Sequence, residues 1–211
     1  MMLFRTLFNG LGGLRKRKYY REDRVDFYRN KNALIAKASI NDIITRNSYD
    51  VFVSKKNINF YGIAFGTSLK ACKKKMGKPN FEVKKGSALE GQNTIFYRLR
   101  IANVKCVLQL HFFNDQFFFG QLSLKHNTGY FSGELINIVR EKYGLPEAKY
   151  FELITDEHDN KIEFIEGMAP CIRYTTGDQK LLAEIRTALH SAQTKQRSRR
   201  LKQNEMLLEL V

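Results

Sequence analysis

Three alternating runs joined by two short turns constrain this chain more than any other feature. Ile95, Tyr97, Leu99 and Ile101 alternate with other residues, and Val104, Cys106, Leu108, Leu110 and Phe112 do so over the longest run. Phe117 to Leu124 then returns. Side chains of a strand point to opposite faces in turn, so a period of two marks a strand with one apolar face. The links Ala102-Asn103 and Asn114-Asp115 are too short for the crossover that a parallel pair needs. The three runs therefore form an antiparallel meander. Its second face carries Arg98, Arg100, Lys105, Gln109 and His111. Phe112, Phe113, Phe117, Phe118 and Phe119 crowd one hairpin of it. Alternation keeps Phe117, Phe118 and Phe119 from sharing a face, so some aromatic surface belongs to a second layer or to a partner.

A helix precedes the meander. Thr67 or Ser68 can cap it, Leu69, Cys72 and Met76 recur at helical spacing, Gly77 can close it and Pro79 blocks its continuation. The pattern returns at an offset of 67, where Gly133, Ile136, Val139, Lys142, Gly144 and Pro146 match Gly66, Leu69, Cys72, Lys75, Gly77 and Pro79. Strand patterns follow again at Tyr150 to Thr155, Lys161 to Glu166 and Cys171 to Thr176. A recurring order of elements predicts a repeat architecture. The fold class is thus α+β, with two helix-plus-antiparallel-meander units. The expected organisation is a basic N-terminal extension with a helix (1–57), a first unit (58–130), a second unit with a closing helix (131–190) and a basic tail (191–211). In the extension, residues 33–46 read as a helix through Ala36, Ile40, Ile43 and Ile44. Tyr49 to Val53 and Ile58 to Phe65 read as a hairpin broken at Lys55-Lys56-Asn57. Leu181, Leu182, Ile185, Ala188 and Leu189 mark the closing helix, and the tail is either its extension or an arm.

Of the 211 residues, 43% are apolar, too many for a disordered chain. No apolar run approaches the roughly 20 residues of a membrane-spanning helix. Cys72, Cys106 and Cys171 are far apart, lack Cys-x-x-Cys spacing and sit among apolar neighbours, which predicts buried structural thiols in a reducing compartment. The apolar stretch Met1 to Leu14 precedes the basic run Arg15, Lys16, Arg17 and Lys18, the reverse of a secretory signal. The expected location is cytoplasmic. The same order of residues also suits a peripheral place at a membrane, with Leu and Phe in the interface and the basic run on headgroups.

The net charge is +15, and it is uneven. Residues 1–130 carry 24 basic and 8 acidic side chains, whereas residues 131–190 carry 7 and 11. This asymmetry predicts a basic face that meets an anion. Lys70, Lys73 and Lys74 point away from the apolar face of the first helix, Lys78 lies near its C-terminus, and Lys84 and Lys85 extend the patch. Arg98 and Arg100 stand on the meander, Arg15 to Lys18 near the N-terminus, and Arg197, Arg199 and Arg200 in the tail. Each of these is a candidate contact to an acidic partner or polyanion. A solvated helix face is the plainer account of the lysine run.

Residues that could carry catalysis are poorly organised. His111, His126, His158 and His190 are scattered, and no nucleophile elbow, P-loop, dinucleotide fingerprint or His-Glu-x-x-His occurs. Asp156-Glu157-His158-Asp159 reads as a hairpin tip, since Asp159-Asn160 is turn chemistry. No cofactor, metal site or catalytic residue is expected.

Gly66-Thr67-Ser68, Cys72, Met76-Gly77 and Pro79 resemble the helix motif of small envelope proteins of the SmpA/OmlA type, and the recurrence at Gly133 to Pro146 resembles the tandem β-lactamase-inhibitor-protein type. The resemblance covers about residues 60–176. It implies a helix-on-sheet module that grips another protein without catalysis, and it assigns no functional residue. The expected function is a non-catalytic basic binding or adaptor module that docks on an acidic protein or an anionic membrane surface. The alternative is nucleic-acid binding through the same lysine patch with Arg98 and Arg100. An enzyme with dispersed residues is a third and weaker expectation.

Overall fold

The computed structural model describes residues 27–28, 37–45, 50–83, 89–101, 104–124, 129–145, 153–165 and 170–208. In chain order the elements are α1 (Lys37–Thr45), β1 (Val51–Val53), α2 (Leu69–Met76), β2 (Phe81–Val83), β3 (Gln92–Ile101), β4 (Val104–Phe113), β5 (Gln116–Leu124), α3 (Gly129–Tyr143), β6 (Leu153–Thr155), β7 (Lys161–Ile165), β8 (Cys171–Thr175) and α4 (Gln179–Leu208). The fold is α+β. Eight strands form one mixed sheet in the order β1-β6-β7-β8-β5-β4-β3-β2. The pairings are antiparallel except that of β1 with β6.

The meander forms as its alternation requires, with Ile101 opposite Val104 and Gln92 opposite Phe113. Ser68 accepts a hydrogen bond from Ala71 N at the start of α2, and Gly77 closes the helix at φ 81°. The two meanders meet through their last strands, from Phe119 opposite Thr175 to Ser123 opposite Cys171. One apolar cluster spans both, joining Cys72 of α2, Leu108 and Phe112 of β4, Val139 and Tyr143 of α3, and Ile162 and Ile172 of the second meander. The helix positions that match across the offset behave alike: Cys72 and Val139 are buried, and Gly77 and Gly144 take positive φ. The strands do not, because β6 to β8 have three to five residues against nine or ten in β3 to β5.

The other face of the sheet is covered as well. Ile40 and Ile44 of α1 pack with Leu181, Leu182, Ile185 and Leu189 of α4 over Phe113, Phe118 and Phe119. A smaller cluster places Tyr28 on Phe96 and Val107. Strict alternation would put Phe117 and Phe119 on one face. A bulge at His111/Phe112 separates them, pairing His111 with Phe119 and Phe112 with Phe117. Phe118 is the extra residue. Phe117 therefore joins the first core while Phe118 and Phe119 join the second.

The hairpin expected over Tyr49 to Phe65 does not form. β1 pairs in parallel with β6, and residues 58–65 fold into a turn held by an isolated bridge between Phe60 and Ile63. Ile58, Phe60 and Ile63 are buried in the first core, so their apolar spacing served a covering loop. Asp156 fixes that loop by accepting from Ile58 N at 2.6 Å. Phe60 lies over Gly120 of β5, where a Cβ would come within 2.6 Å of the ring. Gly120→Ala is expected to cost about 2 kcal/mol by overpacking, seen as a lower urea midpoint at unchanged m-value.

Candidate functional site

Residues two apart on a strand share a face, so β3 presents Arg98 and Arg100 together. Lys105 of β4 stands directly opposite Arg100, and Val107 opposite Arg98. Like charges placed opposite each other across an antiparallel pair repel. All three cations are exposed, and among the described residues no carboxylate pairs with them. The Arg98 guanidinium carbon sits 4.7 Å from the Phe27 ring centre and 5.0 Å from that of Tyr28. Ring faces attract cations and hold this one in place. Tyr28 is buried and stacks on Phe81 at 4.6 Å, which anchors the aromatic support. Asn80 fixes the strand beneath by accepting from Arg98 N at 2.6 Å. The result is an open groove of about 340 Å³ walled by Phe27, Arg98, Arg100, Lys105 and Val107.

The lysines of α2 divide. Lys73 contacts both carboxylate oxygens of Glu82 at 2.9 Å, half-buried between helix and β2. Lys75 donates to Gly62 O at 2.5 Å and ties the covering loop to the helix. Lys70, Lys74 and Lys78 are exposed and spaced four residues apart, and among the described residues they have no ion-pair partner. Lys73 thus leaves the lysine patch for an internal ion pair, while Lys70 and Lys74 stand exposed on α2 and Lys78 just past its end.

The tail cations lie on one helix with the closing segment. α4 runs unbroken from Gln179 to Leu208, and Arg197, Arg199 and Arg200 are exposed on its second half. Lys195 and Lys202 flank them, so five cations stand within eight residues. Arg15, Lys16, Arg17, Lys18, Lys84 and Lys85 lie outside the described residues.

The remaining candidates are structural. Phe112, Phe113, Phe117, Phe118 and Phe119 are all buried and cannot stack on bases. The second face of the sheet is polar along its middle, yet it is closed. Gln109 opposes Gln121, which opposes Arg173, which opposes Glu163. Arg173 Nε donates to Gln121 Oε1 at 3.1 Å and its guanidinium lies 3.8 Å from Glu163. No disulfide joins the three cysteines, all buried, and burial pushes the Cys72 thiol up to about 11. Asp156 is the buried hub of the β6–β7 turn, accepting from His158 N and Asn160 N as well as Ile58 N. Among the described residues no group of His, Cys, Asp and Glu has the arrangement of a metal site.

Sequence reasoning placed Lys105 on the face of Arg98 and Arg100 without counting it among the candidate contacts, and it missed Phe27. Lys105 was legible, since a two-residue turn after Ile101 sets it opposite Arg100. Phe27 was not, because its contact with Arg98 joins residues 71 apart in the sequence and no local pattern signals it. No protein-family model matches the chain, and no curated protein or solved structure is significantly similar to it.

His111 is fully buried beside Phe119, with its Nδ1 3.0 Å from Thr94 Oγ1 and no hydrogen-bond partner at Nε2 among the described residues. Burial lowers its pKa from 6.5 to about 3, because a charged ring there would lose its hydration. The unfolded chain takes up this proton below pH 6.5 and the folded chain does not. Stability is therefore complete above pH 6.5 and declines as pH falls toward 3. Denaturant unfolding between pH 7 and 4 is expected to show this loss, and His111→Gln is expected to flatten it.

Proposed function

We propose that this protein is a non-catalytic binding module that docks on an anionic macromolecular partner, with the β3–β4 end as its fixed contact. The observation that carries the reading is the cluster of Arg98, Arg100 and Lys105. Arg100 and Lys105 repel each other across the ladder, and no described carboxylate relieves them. An anion bridging the three converts that repulsion into attraction. Charge-assisted contacts to carboxylate or phosphate are among the stronger polar interactions, and a guanidinium offers two parallel donors to either. Arg98 is already oriented by Phe27 and Tyr28, which lowers the ordering cost of binding. Lys70, Lys74 and Lys78 would add long-range attraction and speed the encounter. The reading needs no cofactor and no metal.

The test is binding of the full chain to poly-L-glutamate, to anionic lipid vesicles and to nucleic acids at about 0.15 M salt, where exposed charges are screened beyond about 8 Å. Arg100→Glu/Lys105→Glu is expected to weaken the bound probe at least about tenfold, the scale of one charge-assisted contact. Failure of all three probes to bind, or binding indifferent to the reversal, overturns the reading. Lys73→Ala is the contrasting variant. It breaks the Glu82 ion pair and is expected to cost about 1 kcal/mol of stability, while leaving binding unchanged.

A further inference from the structure

α4 has 30 residues, a length of about 45 Å at 1.5 Å per residue. Leu181, Leu182, Ile185 and Leu189 seat its first half on the sheet. From Gln193 to Leu207 every residue is exposed. The helix leaves the body because its inward stripe turns polar. Ile185 and Leu189 are continued at helical spacing by the half-buried Ala192, and then by Gln196, Arg199 and Gln203.

This projecting half is ill suited to stand alone. It holds five cations and one carboxylate, Glu205. Lys195 and Arg199 are four apart, and Arg197 with Arg200 and Arg199 with Lys202 are three apart, so each pair repels on the helix surface. An isolated helix of such length is marginal in water even without repulsion. Among the described residues no acidic group pairs with these cations.

We infer that the second half of α4 is a duplex-DNA-binding arm that lies in the major groove. The inference rests on the anionic-partner reading above and names that partner. With Lys195 as origin and about 100° per residue, Arg199, Arg200, Arg197 and Lys202 fall at about 40°, 140°, 200° and 340°. Gln203 and Gln196 fall at about 80° and 100°, between Arg199 and Arg200. A major groove about 12 Å wide admits a helix, with bases on its floor and phosphates on both walls. The two glutamines face the floor, where a Gln amide can pair with adenine, and the arginines on either side face the walls. The alternatives fit less well. A helix lying on a membrane needs an apolar stripe, but the exposed Leu201, Met206 and Leu207 fall about 120° apart around the axis. A flat acidic protein surface would meet one side of the helix only. Duplex RNA has a major groove too deep and narrow for side chains to read.

The experiment is fluorescence anisotropy of the full chain with a DNA duplex of about 20 base pairs, the matching RNA duplex, poly-L-glutamate and anionic vesicles, each over a salt series. If the arm contributes five phosphate contacts, log K falls with log salt at a slope near −4.5. Arg197→Gln/Arg199→Gln/Arg200→Gln is expected to reduce that slope by about 2.7 and to weaken DNA binding about 100-fold at about 0.15 M salt. These side chains are exposed, so the variant keeps its packing. Gln196→Ala/Gln203→Ala is expected to keep the slope and to narrow the difference between duplex sequences. DNA affinity and slope unchanged in the triple variant, or RNA or poly-L-glutamate bound as tightly through the same arginines, overturns the inference. Poly-L-glutamate or vesicle binding that depends on Arg100 and Lys105, without DNA binding, overturns the arm alone and sustains the wider reading. Binding to no probe ends both.

Discussion

The pairing of β5 with β8 is the constraint on which the rest of the molecule depends. Each meander alone would have an exposed inner edge, a row of backbone donors and acceptors without partners. Joining the two through their last strands satisfies both edges and gives one continuous sheet. It also lets α2 and α3 share one apolar cluster, with the Ile58 to Ile63 turn closing over Gly120 between them. A short second meander is stable in this setting because its strands extend a sheet that already exists. Three-residue strands such as β1 and β6 would not persist by themselves.

Covering both faces decides where binding can happen. α1, α4 and the Tyr28 segment occupy the side that carries the polar residues, so Gln109 and His111 serve the interior. A sheet closed in this way cannot offer aromatic rings to bases or a concave face to a partner. Among the described residues the unpaired cations named above lie at the margins: beside the turn of the β3–β4 hairpin, on and just past α2, and on the exposed half of α4. Near the hairpin turn Arg98 is held by the half-buried Phe27 and the buried Tyr28. Along α4 the scaffold is a single helix whose cations repel one another. The first surface is braced by its neighbours, and the second is an exposed single helix.

Some of this was legible in the chain itself. Alternation from Ile95 to Phe112 and the two-residue turn between β3 and β4 determine that pair and its register, because a slip of one residue would invert every side chain. Ser68, Gly77 and the apolar spacing between them determine α2, because capping and closure are local. Residues 58–65 misled for a physical reason. Ile58, Phe60 and Ile63 have the spacing of a buried strand, yet a loop that covers a core buries the same residue types. Phe118 was equally unreadable, since one extra residue at a bulge leaves alternation intact on either side and shifts the faces between them.

The sequence by itself determined the local elements, the apolar faces and the excess of positive charge, all of which follow from neighbours a few residues apart. Only the tertiary structure decided which charges remain available. Lys73 and Glu82 are nine residues apart in sequence and meet because β2 folds back beside α2. Arg98 finds Phe27 across about seventy residues of chain, because Tyr28 beside it is seated on Phe96 and Val107 of the sheet. Arg197, Arg199 and Arg200 stand clear because the sheet ends before α4 does. Where charge lies along the chain is a matter of composition, but whether it is neutralised depends on distances that only packing sets.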